Sequence, residues 1–354
     1  MNNQQNSCGC KPGKYIITAG GPVKRVSSVF TAQDRWGALK VRIDINRNNY
    51  RVTPGLYALN NPDETSPVFI SANYKLSFDV LRKSLAGING WILVLDTKGI
   101  NVWCAAGKGT FGTEELIKQI KQAELADVVN HKQVIVPQLG APGVAAHTVK
   151  AATGFSVVYG PVRAADLPAF LAAGNKADTA MRKVQFTLRD RFVLTPMEFV
   201  GAIRFMAIFF GILLAIQIIR GWNDPFSAVL FSSLISFIPY AGAFITATIL
   251  FPLLLPILPG RAFALKGWIL GLLWAGVYSG LYYLSAGTIE WQPLLPVILI
   301  APALVAFITL NFTGASTYTS LSGVVKEMQY AVPAVIIAAI CGAVSLILGQ
   351  FVFA

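Results

Sequence analysis

The second half of the chain is divided into long apolar runs, and this feature constrains the fold more than any other. The runs cover residues 199–219, 227–250, 267–286, 293–312 and 331–353, and charged side chains are rare within them. An α-helix needs about 20 apolar residues to cross the roughly 30 Å hydrocarbon core of a bilayer. We therefore predict an all-α transmembrane domain of about five helices over residues 199–354.

The charged residues are distributed unevenly between the two halves. Residues 1–191 hold 24 Lys and Arg and 13 Asp and Glu, whereas residues 192–354 hold 5 and 4. The basic residues next to the apolar runs are Arg182, Lys183, Arg189, Arg191, Arg261, Lys266 and Lys326. Because basic flanks stay on the cytoplasmic side, they predict a multi-pass protein of the inner (cytoplasmic) membrane, with a cytoplasmic N-terminal domain and the C-terminus outside. The absence of an apolar signal segment near Met1 agrees with this orientation.

Few polar side chains lie within the apolar runs. No row of Asp, Glu, His or Lys follows them, which argues against a transporter and favours an anchor or a docking surface. Arg204 lies about five residues inside the first run, and we interpret it as a snorkelling anchor in preference to a functional charge.

The soluble half alternates strand-like and helix-like segments. Strands are predicted over residues 67–72, 91–96, 133–136 and 156–159, with helices between them. This order predicts an α/β doubly wound (Rossmann-like) domain with a mostly parallel sheet over residues 36–175. Alternation over residues 40–45 and 50–52 predicts an added β-hairpin. Residues 1–35 are predicted to be a flexible tail and residues 176–198 a basic linker near lipid headgroups, in which residues 181–196 fit a helix or a strand.

The loops that follow the four predicted strands are the candidate binding site. Ligands of open α/β sheets bind beyond the carboxyl ends of the strands. Here these loops cover residues 73–74, 97–109, 137–143 and 160–163, and they are rich in small or polar residues. Such a site fits a large flat ligand better than acid–base catalysis, because paired carboxylates and a Ser-His-Asp pattern are missing.

The longest of these loops permits two interpretations. Gly107, Gly109 and Gly112 form a Gly-x-Gly-x-x-Gly pattern, with Asp127 further on, which is typical of a dinucleotide site, although the preceding strand ends too early for that motif. Alternatively, a short helix begins after Asn101 as N-cap and carries Cys104 in its first turn. Cys104 is then a candidate ligand or nucleophile, or else a small buried thiol.

Residues 101–108, with the sequence Asn-Val-Trp-Cys-Ala-Ala-Gly-Lys, resemble the signature of the HgcA family, the corrinoid proteins of microbial mercury methylation. The resemblance extends through residues 66–79, 137–143 and 159–163 and, with the helical half, covers nearly the whole chain from about Trp36. Ser71 departs from the Thr of many relatives but keeps the hydroxyl. The soluble part is also similar to the corrinoid-binding domain of the large subunit of the corrinoid iron–sulfur protein, which lacks this Cys and the membrane helices.

This resemblance implies a cofactor and the residues that hold it. The cofactor is cobalamin or a related corrinoid, bound base-off, with Cys104 as the lower axial ligand of the cobalt and as the catalytic residue. Residues implied to bind the corrinoid are Ser71, Asn73, Asn101, Val102, Trp103, Cys104, Ala105, Ala106, Gly107, Lys108, Gly140, Gly143 and Gly160. Cys8 and Cys10 form a pair that could capture Hg(II), or they are incidental thiols of the tail.

The resemblance also implies an activity and partners. The activity is a membrane-anchored, corrinoid-dependent methyltransferase that transfers a methyl group to Hg(II). The implied partners are HgcB, a ferredoxin-like iron–sulfur protein that supplies electrons, a methyltetrahydrofolate-dependent methyl donor, the Hg(II) substrate and the lipid bilayer. No nucleic-acid partner is expected. The alternatives are a corrinoid methyl carrier of one-carbon or acetyl-CoA metabolism, and a membrane protein whose soluble domain senses a cofactor.

Overall fold

The chain forms two compact units, one ending at Gln185 and the other beginning at Phe186. The structure, a computed structural model, describes residues 15–18, 21–312 and 321–351. The first unit is a mixed α/β sheet domain, and the second contains about five helices that are apolar enough to span a membrane. The boundary lies inside the segment predicted as a basic linker, where Leu188–Phe192 form a short helix and no described residue forms a strand.

Within its described residues, the first unit contains seven strands and seven α-helices. The strands are β1 (Tyr15–Thr18), β2 (Gly21–Val26), β3 (Gly55–Leu59), β4 (Val68–Ala72), β5 (Gly90–Leu95), β6 (Gln133–Val136) and β7 (Ser156–Tyr159). The helices are α1 (Ala32–Arg42), α2 (Lys75–Ser84), α3 (Val102–Gly107), α4 (Thr113–Gln122), α5 (Leu125–Val128), α6 (Ala146–Thr153) and α7 (Leu167–Ala172). Short 3-10 helices cover Arg47–Asn49, Gln138–Gly143 and Ala164–Asp166.

The strands form one sheet in the order β1-β2-β3-β5-β4-β6-β7. Its core, β5-β4-β6-β7, is parallel and matches the four predicted strands. β4 comes first along the chain, β5 adds to one side of it, and β6 and β7 add to the other. The direction of winding therefore reverses between β4 and β6, which is where ligands of doubly wound sheets bind.

Both faces of the sheet are covered by helices. Alternate strand residues such as Ile70 and Leu93 pack with α4, α5 and α6 on one face. Their neighbours Phe69 and Ile92 pack with α2 and α7 on the other. The strands are consequently apolar on both sides, and every residue of β4 and β5 is buried.

Three strands and one helix differ from the sequence predictions. β3 pairs antiparallel with β5, β2 runs parallel to β3, and β1 is antiparallel to β2. Residues 15–18 and 21–35 therefore belong to the folded unit, and the prediction of a flexible tail over residues 1–35 is wrong for them. The predicted hairpin at residues 40–52 is also wrong, because residues 32–42 form α1. Thr31 and Asp34 make reciprocal side-chain to backbone hydrogen bonds that start this helix.

The second unit contains the helices α8 (Leu188–Phe192), α9 (Thr195–Arg220), α10 (Phe226–Ile245), α11 (Phe251–Leu254), α12 (Phe263–Ala286), α13 (Trp291–Asn311) and α14 (Leu321–Phe351). The candidate spans are Leu188–Arg220, Phe226–Leu254, Phe263–Ala286, Trp291–Asn311 and Gly323–Gly349. The second span runs past the predicted end at residue 250. A π-helical turn over Thr246–Leu250 precedes Pro252, and it relieves the clash that proline makes with the turn before it.

Glycines allow α12 and α13 to approach closely. An added Cβ at Gly267 would collide with Ala306, and one at Gly271 would collide with Pro302. These two glycines are four residues apart and therefore lie on one face of α12. Small residues at this spacing are typical of close helix packing in membranes.

Candidate functional site: a capped cavity at the carboxyl ends of the parallel strands

A cavity of about 390 Å³ opens at the carboxyl ends of β4 and β6. Its walls come from the strand ends, from α2, from the loops after β6 and β7, and from the start of α3. Most of the lining is apolar, and Ser71, Ser77 and Asn101 add polar groups. The lining residues are Phe69, Ile70, Ser71, Tyr74, Leu76, Ser77, Val80, Leu81, Asn101, Val102, Trp103, Ile135, Pro137, Leu139, Gly160, Pro161, Val162, Ala164 and Leu167. The cavity therefore lies where the winding of the sheet reverses, as expected for a ligand site.

The helix α3 caps this cavity, and its start is fixed by Asn101. The Asn101 side chain accepts a hydrogen bond of 2.9 Å from the Cys104 backbone nitrogen, which confirms the predicted N-cap. Ala105 and Ala106 on the opposite side of the helix are buried in the core. The small side chains at these two positions let α3 lie close against the domain.

Cys104 is exposed and carries a free thiol. It follows Trp103, which is 42% exposed and lines the cavity, but Cys104 is not itself among the described residues of the lining. The interpretation of Cys104 as a buried structural thiol is therefore wrong. Its sulfur is accessible at the cap, one residue from the cavity wall.

Asn73 holds the loop that leads from β5 to α3. Its Oδ1 accepts hydrogen bonds from the backbone nitrogens of Thr97 (3.2 Å) and Gly99 (2.8 Å), and its Nδ2 donates to Asp96 Oδ1 (3.0 Å). Asn73 is only 3% exposed and does not line the cavity. The Asn73 amide therefore fixes the loop that positions the cap helix α3, without lining the cavity itself.

The predicted glycines serve two different purposes. Gly160 lines the cavity, where an added Cβ would lie 3.1 Å from Ile135 Cγ2. Gly140 and Gly143 pack against Phe111 beneath α3, and a Cβ at either position would collide with that residue. Gly107 and Lys108, at the end of α3, lie outside the cavity lining described above. The structure thus brings Ser71, Asn101, Val102, Trp103 and Gly160 to the cavity and places the other implied residues around the cap.

Two further predictions can be compared with this geometry. The Gly-x-Gly-x-x-Gly pattern lies between α3 and α4 and does not follow a strand directly, so it lacks the strand–turn–helix context of a dinucleotide site. Cys8 and Cys10 lie outside the described residues. Among the residues that the structure describes, no group of three or more His, Cys, Asp or Glu side chains is arranged to hold a metal ion.

The sequence analysis placed the loop residues of the wall, such as Leu139, but missed the part that comes from helices. Val80 in α2 and Leu167 in α7 would individually be read as core residues. The sequence signal that could have identified this part is Val80, an apolar residue off the α2 face that carries Phe78 and Leu81; in the structure it is 45% exposed and lines the cavity.

Comparisons with known proteins point to one family. Residues 39–171 match the model of the CO dehydrogenase/acetyl-CoA synthase delta subunit family. The acetyl-CoA decarbonylase/synthase complex subunit gamma of Methanopyrus kandleri is 34% identical over 127 residues, or 35% of this chain and 27% of the relative. The same subunit of Archaeoglobus fulgidus is 34% identical over 118 residues, or 33% and 25%.

A third relative is named for its cofactor. The corrinoid/iron–sulfur protein large subunit of Moorella thermoacetica is 29% identical over 125 residues, or 35% of this chain and 28% of the relative. The chain thus spans about a quarter of the length of these curated relatives, and the similarity falls on the α/β unit. This unit is therefore related to the corrinoid-protein domain of the CO dehydrogenase/acetyl-CoA synthase delta subunit and corrinoid/iron–sulfur large subunit family.

Proposed function

We propose that the α/β unit binds a corrinoid in the cavity at the ends of β4 and β6, and that the chain is a membrane-anchored methyl-transfer protein. The observation that carries this proposal is the capped cavity at the reversal point of the sheet. Its walls are apolar and contain a glycine, Gly160, which suits close approach of a large flat macrocycle. The relationship to a corrinoid/iron–sulfur protein subunit supports the same cofactor.

The residues present fit such a group. The side chains of Val80, Leu139 and Val102 would contact its apolar surfaces, and Ser71 offers a hydroxyl within the cavity. The cavity, of about 390 Å³, is open at its mouth, so a ligand larger than the cavity can enter it in part. A bound corrinoid supplies a cobalt atom that can accept a methyl group and pass it on.

The first candidate function is a methyl carrier of one-carbon or acetyl-CoA metabolism. Two of the relatives reported above are named as subunits of an acetyl-CoA decarbonylase/synthase complex. The same proposal includes a methyltetrahydrofolate-dependent donor and an iron–sulfur partner. The membrane helices would hold the carrier at the bilayer, with the α/β unit in the cytoplasm and the C-terminus outside.

The second candidate is methylation of Hg(II), and Cys104 is the observation that favours it. Its thiol is exposed in the first turn of the cap helix, next to the cavity wall. If the Cys104 sulfur held the cobalt of a corrinoid, it would donate electron density to the metal and favour delivery of methyl with carbanion character. That polarity suits transfer to Hg(II), an electrophile, whereas a methyl carrier that serves nucleophiles gains nothing from it. The ferredoxin-like partner HgcB and the capture of Hg(II) by Cys8 and Cys10 belong to this candidate.

One set of variants separates the two candidates. We expect full-length protein reconstituted with cobalamin to show a base-off spectrum with a sulfur-ligand signature, by ultraviolet–visible and electron paramagnetic resonance spectroscopy. Cys104→Ala should remove that signature and abolish methyl transfer to Hg(II). Cys104→Thr should bind cobalamin but lose the transfer. The matched control is Cys341→Ala in α14, which removes the second exposed free cysteine of the part of the chain that the structure describes.

Three outcomes of these measurements can be distinguished. Loss of Hg(II) methylation in Cys104→Ala but not in Cys341→Ala supports the second candidate. Cobalamin binding with methyl transfer that survives Cys104→Ala leaves the methyl carrier and removes the thiolate from the mechanism. Failure of the wild-type protein to bind cobalamin contradicts both.

A further inference from the structure

A groove of about 450 Å³ runs along α9 in the membrane unit. The α9 side of the groove is formed by Gly201, Phe205, Ile208 and Ile212, which recur every three or four residues and therefore share one face of the helix. The facing side comes from α13, through Leu304, Phe307 and Ile308. The shape and the apolar lining match an extended hydrocarbon chain.

One end of this groove is polar. Glu198, Arg204 and Asn311 line it, and Glu198 lies near the start of α9 while Asn311 is the last residue of α13. Arg204 is exposed within the candidate span Leu188–Arg220. Its guanidinium lies 5.0 Å from the ring centre of Phe205, and among the described residues it forms no ion pair with a carboxylate.

A guanidinium at this position needs a polar environment, and an anion is the strongest partner available to it. A charged side chain inside a span is unfavourable unless it reaches an anion, water or the headgroup layer. Arginine binds phosphate through two parallel N–H donors, which makes a phosphate a strong partner for it. Phosphate at one end and an apolar channel beyond it together describe a phospholipid.

We propose that the groove between α9 and α13 is a binding site for one phospholipid, with the phosphate at Arg204 and an acyl chain along Phe205, Ile208 and Ile212. This assignment goes beyond the methyl-transfer function and does not depend on it. It replaces the interpretation of Arg204 as a simple snorkelling anchor, because the side chain forms one end of a shaped groove.

The test measures lipid retention by the purified full-length chain in detergent, by native mass spectrometry. The probes are phosphatidylglycerol and a diacylglycerol with the same acyl chains, which lacks the phosphate. Wild-type protein should retain phosphatidylglycerol roughly fivefold better than diacylglycerol. Arg204→Gln should abolish this preference, and Arg204→Lys should keep part of it. The matched control is Arg220→Gln at the other end of α9, which should behave as wild type.

A second variant tests the groove itself. An added Cβ at Gly201 meets no other atom within 4 Å, so Gly201→Leu extends into open space in the groove and should not disturb folding. It should reduce retention of both lipids. Free glycerol phosphate in excess should not displace phosphatidylglycerol, because the acyl chain supplies much of the binding. The proposal is overturned if Arg204→Gln keeps the phosphatidylglycerol preference, if Gly201→Leu retains lipid as wild type does, or if glycerol phosphate displaces the lipid.

Discussion

Asn73 is the residue that connects the end of β4 to the cap over the cavity. Its side-chain amide forms hydrogen bonds with Thr97, Gly99 and Asp96. In the same turn, Lys98 and Gly99 both have positive φ angles, of 57° and 78°. A turn of this kind is held in place by its hydrogen bonds. Asn73 therefore determines where α3, and with it Trp103 and Cys104, stands relative to the strands.

Asn73→Ala should loosen this loop without removing an apolar side chain from the core. Loss of the amide leaves the Gly99 backbone N–H without its acceptor, at a cost of about 1 kcal/mol or more, whereas the Thr97 N–H keeps the Leu95 carbonyl as acceptor. We expect residues 97–107 of the full-length protein to exchange amide hydrogens at least roughly tenfold faster, as measured by mass spectrometry. Asn130→Ala serves as the control, because Asn130 is exposed. Unchanged exchange in Asn73→Ala would show that the loop is held by other contacts.

At the scale of elements, a buried charge network joins α1 to α2. Lys75 Nζ lies 2.9 Å from Asp34 Oδ1 and also pairs with Asp79, and Arg82 bonds both carboxylates at 2.8 Å. Arg82 also donates to the backbone oxygens of Ser27 and Val29. Burial alone would raise the pKa of Asp34, but hydrogen bonds from Lys75, Thr31 and Arg82 outweigh it and lower the pKa well below its usual range.

This network should make the α/β unit sensitive to acid. Because the folded-state pKa of Asp34 is lowered, its contribution is complete well above the ordinary unfolded value of about 3.9, begins to fall near pH 5, and is lost as the pH drops from there to the lowered folded-state pKa. Asp34→Asn should lower the unfolding midpoint at neutral pH by roughly 6–12 °C, since breaking a buried pair costs about 3 kcal/mol. Circular dichroism of the full chain from pH 7 down to about 2 measures both effects, with the exposed Asp127→Asn as control. A midpoint equal to wild type in Asp34→Asn would contradict this role.

The contact between α12 and α13 depends on a second element-scale feature, the glycine face of α12. Gly271→Val should force the two helices apart, because the new side chain would collide with Pro302, and overpacking of this kind destabilises by about 1–3 kcal/mol. We expect the aggregation temperature of the detergent-solubilised chain to fall by several degrees. Gly276→Val is the control, because a Cβ there meets no atom within 4 Å. Equal temperatures for the two variants would exclude a packing role for Gly271.

These elements also show how far the sequence can be interpreted. The parallel strands were predictable because runs such as Val68–Ala72 are short, apolar and separated by helices. The membrane helices were predictable from length and hydropathy. β2 and β3 were not, because their pairing is non-local and their short sequences show little alternation. The hairpin prediction failed at α1, where buried Asp34, Ala38 and Val41 follow helical spacing that the strand-like alternation of residues 40–45 obscured.

The candidate site was predictable in part. The parallel topology and the Asn101 cap indicated where the site lies, because strand ends and caps are local signals. Asn73 stays a predicted corrinoid neighbour, and the structure adds that its amide holds the loop before α3, which no local sequence signal indicated. The apolar wall around Val80 and Leu167 was missed, because no local pattern distinguishes a cavity-lining apolar residue from a core residue.

At the scale of the whole molecule, a small α/β unit is joined in one chain to a group of helices that can span a membrane. The match to the CO dehydrogenase/acetyl-CoA synthase delta subunit family covers residues 39–171 and does not reach the candidate membrane spans. We therefore propose that the first unit carries the cofactor chemistry and that the second attaches the chain to a membrane. Central to this proposal is a corrinoid in the cavity at the reversal point of the sheet.

The most direct test is a cobalamin titration of the full-length protein in detergent, followed by absorbance, with two matched tryptophan variants. Val80 and Val184 are both 45% exposed, but only Val80 lines the cavity. Val80→Trp should fill the cavity and abolish binding, whereas the wild-type protein and Val184→Trp should bind one cobalamin with a base-off spectrum. Binding to Val80→Trp with wild-type affinity, or no binding to the wild-type protein, would contradict the account.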